Sequence, residues 1–213
     1  MSNYKKRMTD SNIKVKAWLF SMPPVKSCLN HKTCASSCYA KKAYKQYTNT
    51  VKPLWDQNFS DAKSDLFKLY DDLDVQCAAI SKQQKHKRVV RIHQSGDFIN
   101  QDYVNMWHDI AAKYPTILFY AYTKVDHILD ITYLNSLDNV NIIPSLINGQ
   151  INYGTEDYIQ GLNKDHGTFI CPASYGKNKD QVLCGIESRY SIKAGATMCD
   201  HCFKKDNVAF LQH

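Results

Sequence analysis

The chain has 213 residues, 44% of them hydrophobic and 22% charged, which is enough to bury the core of one domain without disulfides or a structural metal. It has no apolar run long enough to cross a bilayer and no signal-peptide pattern, so we expect a cytoplasmic protein with no membrane partner. The 27 basic and 20 acidic side chains give a net charge of +7, but the cations are dispersed, which favours a solvated surface over a dedicated nucleic-acid site.

Apolar residues recur at two spacings along the chain, the two-residue period of strands and the three- to four-residue period of helices. Strands are predicted at Ile13 to Leu19, Arg88 to His93, Ile117 to Tyr122, Val140 to Ile143 and Thr168 to Ile170. Helices are predicted at Tyr39 to Tyr47, Pro53 to Lys82, after a cap at Asn100, at Asp126 to Leu137 and at Glu156 to Leu162. The segment Met1 to Arg7 carries three cations and is predicted to be a solvated tail.

The alternation of strand and helix predicts an α/β fold with a mainly parallel sheet and helical crossovers, either open or curved into a partial TIM-like barrel. We expect a single domain over residues 1–213. Within it, residues 13–170 form the βα core, and residues 171–213 form a cysteine-rich, metal-binding extension.

Polar residues follow the predicted strands at their carboxyl ends, which meet at one edge of a parallel sheet. A three-cysteine loop follows the first strand, and short polar motifs follow the next three. The residues of these motifs are Ser95, Gly96, Asp97, Thr123, Lys124 and Ser145. A shared site is therefore predicted at this edge.

The loop after the first strand carries Cys28, Cys34 and Cys38 within eleven residues. Thiolates are soft ligands that suit zinc, copper(I) and iron-sulfur clusters, and short spacings let them reach one centre. A structural zinc ion prefers four protein ligands, so this triad either recruits His31 or a distant cysteine, or leaves one position open for a substrate. By contrast, Cys77 lies on the apolar face of a predicted helix and is assigned to the core.

A second cysteine group lies near the end of the chain, and its Cys-x-x-Cys spacing lets two sulfurs reach one metal. Its members are Cys171, Cys184, Cys199 and Cys202. Four thiolates suffice for a closed centre, either zinc or a second iron-sulfur cluster. A single cluster shared between the two cysteine groups is a third arrangement that the spacing permits.

The three-cysteine loop followed by Ser95-Gly96-Asp97 after the second strand resembles the architecture of the radical S-adenosylmethionine superfamily. That resemblance implies a 4Fe-4S cluster on Cys28, Cys34 and Cys38, with S-adenosylmethionine on the open iron and its amino group near Asp97. The order of features from Met22 to Phe203 is more closely similar to the phage-encoded gene-product-88 family. This resemblance implies iron-sulfur binding in the cytoplasm of an infected bacterial host.

Together these features predict an iron-sulfur protein with one or two clusters, acting as a radical S-adenosylmethionine enzyme with a small-molecule ligand or an electron donor as its partner. His93 and Asp97 are the predicted catalytic pair, because a histidine near a carboxylate can move protons. His93 is also interpreted as a half-buried strand residue. The alternatives are a non-enzymatic iron-sulfur redox or regulatory protein, and a zinc-stabilised module that binds nucleic acid.

Overall fold

A computed structural model describes residues 4–10, 17–32, 34–36, 38–84, 87–126 and 128–144. Beyond them it describes the backbone of four short strands. These are β6 (Thr168–Ile170), β7 (Leu183–Cys184), β8 (Met198–Cys199) and β9 (Asn207–Ala209). The predicted helix at Glu156 to Leu162 lies outside the described residues, as does most of the predicted strand that begins at Ile13.

A five-stranded sheet forms the centre of the described fold. Its strands are β1 (Met8–Thr9), β2 (Trp18–Phe20), β3 (Val89–Ile92), β4 (Leu118–Thr123) and β5 (Val140–Pro144). They lie side by side in chain order, with β1 antiparallel to β2 and the other neighbours parallel. The α/β fold with a mainly parallel sheet is confirmed.

The five-stranded sheet is open, with β1 and β5 at its two edges. The described residues therefore contain no closed TIM-like barrel. The predicted strand at Thr168 to Ile170 is present as β6, but it pairs with β9 and not with the five-stranded sheet. A second small pair is formed by β7 and β8.

Five helices are described: α1 (Ala40–Gln46), α2 (Val51–Ser64), α3 (Leu66–Ser81), α4 (Gln101–Lys113) and α5 (Thr132–Asn135). The single helix predicted from Pro53 to Lys82 is wrong, because Asp65 interrupts it with a φ of −151° and a ψ of 70°. Its side chain accepts a hydrogen bond from the Lys68 backbone N–H at 3.1 Å. The spacing of apolar residues continues unchanged through both helices, so it does not reveal that Asp65 ends α2 and caps the start of α3.

Two other helix starts show how short polar side chains set the boundaries. Asn100 caps α4 as predicted, accepting a hydrogen bond from the Tyr103 backbone N–H at 2.8 Å. The helix predicted from Asp126 is wrong, because only the short α5 forms there. Asp130 accepts a hydrogen bond at 2.9 Å from the Thr132 backbone N–H, so the chain turns at Asp130 before α5 begins.

In the described part of the chain, no helix has both the length and the apolar character that crossing a bilayer requires.

The main core lies between the helices and one face of the sheet. Inward residues of β3, β4 and β5 belong to a single buried cluster with side chains of α3 and α4. The strand members are Val90, Ile92, Phe119, Ala121, Val140 and Ile142. Cys77 on α3 is fully buried in this cluster, so its assignment to the core is confirmed.

Among the described residues of the predicted tail, Tyr4, Lys5 and Lys6 are exposed, but Arg7 is built into the fold, so the prediction of a solvated tail is wrong for Arg7. Arg7 is fully buried and its Nη2 donates to Oδ2 of Asp72 at 2.6 Å and to Asp61. The Gln76 side-chain carbonyl accepts the backbone N–H groups of Arg7 and Met8 at 2.5 and 2.9 Å. These contacts hold β1 against α2 and α3, and a buried cation of this kind requires such carboxylate partners.

Candidate functional site

The three-cysteine loop is attached to the segment that follows β3. The Met22 backbone N–H donates to the Ser95 carbonyl at 2.9 Å, and the Asp97 backbone N–H donates to the Ser27 carbonyl at 3.3 Å. The Tyr39 hydroxyl, at the far end of the loop, donates to the Gln94 carbonyl. The predicted meeting of the first two strand ends at one edge is therefore confirmed.

Gly96 makes this close approach possible. Its φ is +92°, in the region that glycine adopts without a steric penalty. A Cβ placed on it would lie 2.6 Å from Oγ of Ser27 and 3.0 Å from Cβ of Met22. The segment after β3 and the start of the cysteine loop can pack this closely only because position 96 has no side chain.

Asp97 connects this segment to the end of β4. Its Oδ1 accepts hydrogen bonds from the Thr123 hydroxyl at 2.7 Å and from the Phe98 backbone N–H at 2.9 Å. Its Oδ2 accepts the Lys124 backbone N–H at 2.9 Å. Burial raises the pKa of the Asp97 carboxyl, while these hydrogen bonds and the Lys124 charge oppose that rise. The carboxylate thus holds two strand ends in register with each other.

A third strand end reaches the same loop through Asn30. Its side-chain amide donates to the Lys124 carbonyl at 3.0 Å. Lys124 itself is half-buried, with its backbone bonded to both Asn30 and Asp97. The predicted site residues Asp97 and Lys124 are therefore neighbours of the cysteine loop.

All three loop cysteines are free thiols of intermediate exposure. Burial raises the pKa of the Cys28 thiol to about 12, helped by the nearby Asp97 carboxylate and by Cys34 and Cys38. A backbone hydrogen bond with Val25 opposes this rise. Cys28 is therefore protonated at neutral pH unless a cation lies next to it.

His31 lies inside the loop with a defined ring orientation. Its Nδ1 is 2.8 Å from the Cys28 carbonyl oxygen, so the ring donates its proton there and Nε2 remains the basic nitrogen. The His31 carbonyl accepts the backbone N–H groups of Cys34 and Ala35 at 3.1 and 2.9 Å. His31 therefore shapes the turn that carries Cys34, and Nε2 is the atom that it could offer a metal.

In the part of the chain that the structure describes, no three side chains of the His, Cys, Asp and Glu types are arranged as a ready-made metal site. The residues of the loop still suit a soft metal, because the loop carries three cysteines that form no disulfide. Binding a metal would require the loop to draw these thiols together.

His93 lies beneath this edge and within the core. Strand alternation would place it on the same face as Arg91, but its φ of +61° turns it toward the helices. Its Nε2 is 2.9 Å from the Tyr103 hydroxyl, and its ring lies edge-on to Phe98 at 4.7 Å. Burial lowers the pKa of His93 to about 3, and the Arg91 charge adds to this effect. His93 is therefore neutral at pH 7.

Two buried polar atoms near the edge have no hydrogen-bond partner among the described residues. They are Nδ1 of His93 and Oγ of Ser95. Ser95 is 5% exposed, so the predicted binding residues Ser95 and Asp97 are both covered. Predicted site residue Ser145 lies outside the described residues, as do Cys171 and Cys202.

The backbone of the second cysteine group is described only at β7 and β8. Their parallel register makes Cys184 and Cys199 direct Cα partners. Two of the four predicted ligands are therefore neighbours across a strand pair.

Several contacting residues were not predicted from the sequence. Ser27 and Tyr103 contact the site segment, yet they were not marked by any motif. The pair Ser95-Gly96 signals that a backbone approaches closely, but it does not say which residue approaches. The sequence places Thr123 at a strand end, but its bond to Asp97 depends on the strand register of β3 and β4.

The fold and this cysteine-bearing edge define an α/β protein with a thiol-rich loop at the carboxyl ends of its strands. The family model "Gene product 88" matches residues 1–209, so the chain belongs to the gene product 88 family. The sequence is similar to the Gene 88 protein of Mycobacterium phage L5, with 26% identity over 110 residues that cover 50% of this chain and 46% of that protein.

The Gene 88 protein of Mycobacterium phage D29 is 26% identical over 116 residues, covering 51% of this chain and 47% of that protein. The chain thus spans about half the length of these phage relatives. No solved structure matches the chain.

Proposed function

We propose that this protein binds an iron-sulfur cluster through Cys28, Cys34 and Cys38. The observation that carries the proposal is that three free thiols share one loop, and that backbone hydrogen bonds attach this loop to the carboxyl ends of the parallel strands. Ligands collect at this edge in α/β folds. Three thiolates on a four-iron cluster leave one iron open to a further ligand.

The iron that has no cysteine ligand is the basis for proposing that the protein is an enzyme. S-adenosylmethionine would be its ligand, and a reduced cluster would supply the electron for cleavage of the sulfonium. The residues of the chain would orient and shield this ligand. Asp97 holds the ends of β3 and β4 together and would act as a positioning residue, while Lys124 would present its cation at the rim. His93 would remain a neutral, buried support beneath the site.

A sheet whose parallel strands follow one another in chain order can curve into a partial barrel. Strands β2 to β5 lie side by side in chain order, whereas a doubly wound sheet reverses its strand order partway across. The observed order therefore favours a partial barrel. We propose the partial barrel on this ground.

A second centre is proposed at Cys171, Cys184, Cys199 and Cys202. The Cα pairing of Cys184 with Cys199 supports it, because neighbouring positions on paired strands are close enough to share a metal. Four thiolates suit either zinc or a closed cluster.

The test is the content of iron, acid-labile sulfide and zinc in protein purified without oxygen, together with its visible absorption. About four irons per chain would indicate one cluster and about eight would indicate two. Cys34→Ala should lower the iron content, whereas Cys77→Ala, which alters a core thiol, should leave it unchanged. A colourless protein that contains zinc alone would refute the iron-sulfur proposal.

A change in the absorption or electron paramagnetic resonance spectrum on adding S-adenosylmethionine would support the enzyme. A brown protein whose spectrum does not respond would instead indicate a redox or regulatory cluster protein.

A further inference from the structure

The cysteine loop and the two helices that follow it hold most of the excess positive charge of the chain. Residues 26–63 carry seven lysines and two aspartates, a net charge of +5, whereas the rest of the chain has 20 basic and 18 acidic side chains. Both aspartates are already paired, Asp61 with the buried Arg7 and Asp56 with Lys52 at 2.6 Å. The cations look dispersed in the sequence, but their excess over the acids lies in one segment of the fold.

The helix α1 carries three lysines and no carboxylate in seven residues. Lys42 and Lys45 are exposed and three residues apart, while Lys41 and Lys45 are four apart, so like charges are neighbours on the helix surface. Lys41 and Lys42 also stand in the first turn, at the positive end of the helix dipole. In the part of the chain that the structure describes, no carboxylate forms an ion pair with Lys42 or Lys45. An anionic partner would remove this repulsion.

Two further lysines meet over one aromatic ring of α2. Nζ of Lys26 lies 5.7 Å from the centre of the Phe59 ring, and Nζ of Lys63 lies 5.5 Å from it. Both lysines are exposed, and among the described residues neither forms an ion pair with a carboxylate. The ring attracts both ammonium groups without neutralising them, so their charge is still directed at solvent.

Packing between α1 and α2 joins these lysines into one surface. The Tyr44 ring of α1 stacks on Trp55 of α2 at 6.0 Å, and the Tyr44 hydroxyl donates to Asp56 at 2.5 Å. Phe59 lies three residues beyond Asp56 and is therefore its neighbour on the surface of α2. We refer to four exposed lysines of this region as the basic surface: Lys26, Lys42, Lys45 and Lys63.

Two exposed tyrosines stand at the ends of α1. Tyr39 precedes the helix and is 68% exposed, and Tyr47 follows it and is 49% exposed. Eight residues at the usual helical rise separate them by about 12 Å. The Tyr39 hydroxyl donates to the Gln94 carbonyl, so its ring is held in place although most of it faces solvent. Exposed rings beside cations are the combination with which proteins bind single strands, because bases stack on the rings while phosphates pair with the cations.

We propose that the basic surface binds single-stranded nucleic acid, with phosphates on its lysines and bases stacked on Tyr39 and Tyr47. A duplex keeps its base faces stacked inside and would use the lysines alone. The exposed rings therefore favour a single strand. The basic surface contains no cysteine, so nucleic-acid binding and iron content can fail independently in experiment.

The test is fluorescence anisotropy of the full chain with a labelled oligothymidine of about 20 nucleotides, compared with a duplex of the same length. The single strand should bind more tightly than the duplex. Contacts from four lysines should make the logarithm of the association constant fall with the logarithm of the salt concentration, with a slope of about −3. Sedimentation with phosphatidylserine vesicles tests a membrane surface as the partner.

The double variant Lys42→Gln, Lys45→Gln should weaken binding by about 10-fold and make the salt slope shallower by about 1.4, because two phosphate contacts are lost. The matched control is Lys82→Gln, Lys87→Gln, which removes the same charge from two exposed lysines just before β3. These lie at the edge of the sheet opposite the cysteine loop, so the control should bind as tightly as the unmodified protein. The iron content should be equal in all three proteins.

Tyr47→Leu tests base stacking and should weaken binding by about 5-fold or more, the lower end of the usual contribution of one stacked base. Tyr133→Leu is its control, because Tyr133 is an exposed tyrosine on α5. Thermal unfolding of each variant establishes that it folds, and Lys26→Gln, Lys63→Gln serves if the α1 double variant does not fold. The proposal is overturned if the oligothymidine does not bind at low salt, if the duplex or the vesicles bind more tightly than it does, or if either control weakens binding as much as its test variant.

Discussion

The Thr123 hydroxyl lies 2.7 Å from Oδ1 of Asp97 and joins the end of β4 to the segment after β3. Because the Lys124 backbone N–H occupies the other carboxylate oxygen, Asp97 accepts hydrogen bonds on both oxygens. In Asp97→Asn, an NH2 group replaces one of the two oxygens. It would face either the Thr123 hydroxyl or the Lys124 backbone N–H, both of which are donors, so one hydrogen bond would be lost. Asp97→Asn should therefore lower the free energy of unfolding by about 2 kcal/mol, the range for hydrogen bonds to a charged group.

Denaturant unfolding measures this change. Asp71→Asn, on the exposed side of α3, provides a control that should stay within about 0.5 kcal/mol of the unmodified protein, as most surface substitutions do. A similar small effect for Asp97→Asn would mean that the bonds around Asp97 do not hold the edge together.

Gly96→Ala should destabilise the protein by about 1–3 kcal/mol, because the new methyl group meets Ser27 and the backbone is held at positive φ. The measurement is the midpoint of thermal or denaturant unfolding. Ser27→Ala removes the nearest atom, Oγ, and also removes a hydrogen bond of 2.6 Å to the Pro23 carbonyl.

A double-mutant cycle separates these effects. The loss in the double variant should be smaller than the sum of the two single losses, since Ser27→Ala relieves part of the clash. Strict additivity would show that position 96 does not pack against the cysteine loop.

Because His93 is buried in its neutral form, the free energy of unfolding should fall as the solution becomes more acidic. Its pKa falls from an ordinary value of 6.5 to about 3 in the folded state, so below pH 6.5 the unfolded chain binds a proton that the folded chain does not. Stability is then lost as the pH falls from about 6.5 toward 3, by about 1.4 kcal/mol per pH unit from this group.

The measurement is the free energy of unfolding between pH 4 and pH 7, approximately the window set by the two pKa values of His93. His93→Gln retains a polar side chain and should show a shallower decline. Parallel curves for the two proteins would contradict the assignment of a buried neutral imidazole.

Cys77 should react with iodoacetamide far more slowly than Cys34 in the folded, metal-free protein. Cys77 is fully buried, and burial raises its pKa to about 12, so little of the reactive thiolate is present. Cys34 is only partly buried. Mass spectrometry of labelled peptides measures both rates, and in denaturant the two should become equal. Equally fast labelling in the folded state would place Cys77 outside the core.

Arg7→Met should lower the free energy of unfolding by about 3–5 kcal/mol, because it removes the buried guanidinium that pairs with both Asp61 and Asp72 and leaves Asp72 with only the partly exposed Lys68, at 3.2 Å. The measurement is chemical unfolding monitored by circular dichroism. Lys6→Gln alters an exposed neighbouring cation and is the control. If both variants are equally stable, the buried ion pairs do not fix β1 to the helices.

The sequence was sufficient to predict the four parallel strands and the edge at which the polar motifs meet, but not β1 or the break between α2 and α3. The apolar run from Ile117 to Tyr122 predicts a strand covered on both sides, and parallel strands bring their carboxyl ends together. The order of the strands alone therefore predicts that Asp97, Lys124 and the cysteine loop lie close together.

Other features depend on information that no local pattern contains. The period of apolar residues runs through Asp65, so the break between α2 and α3 is visible only once its φ and ψ are known. Alternation places His93 on the wrong face, because a positive φ reverses its direction. The bond between Arg7 and Asp72 joins residues 65 positions apart, and a basic residue near the chain start looks like any solvated cation.

The position of Arg7 also constrains the order in which the protein can fold during synthesis. Its carboxylate partners at Asp61 and Asp72 leave the ribosome 54 and 65 residues later. Until then the guanidinium lacks the two carboxylates that accompany its burial. β1 can therefore dock on α2 and α3 only after Asp72 has been made, and until then the edge of β2 that it covers remains open to other chains.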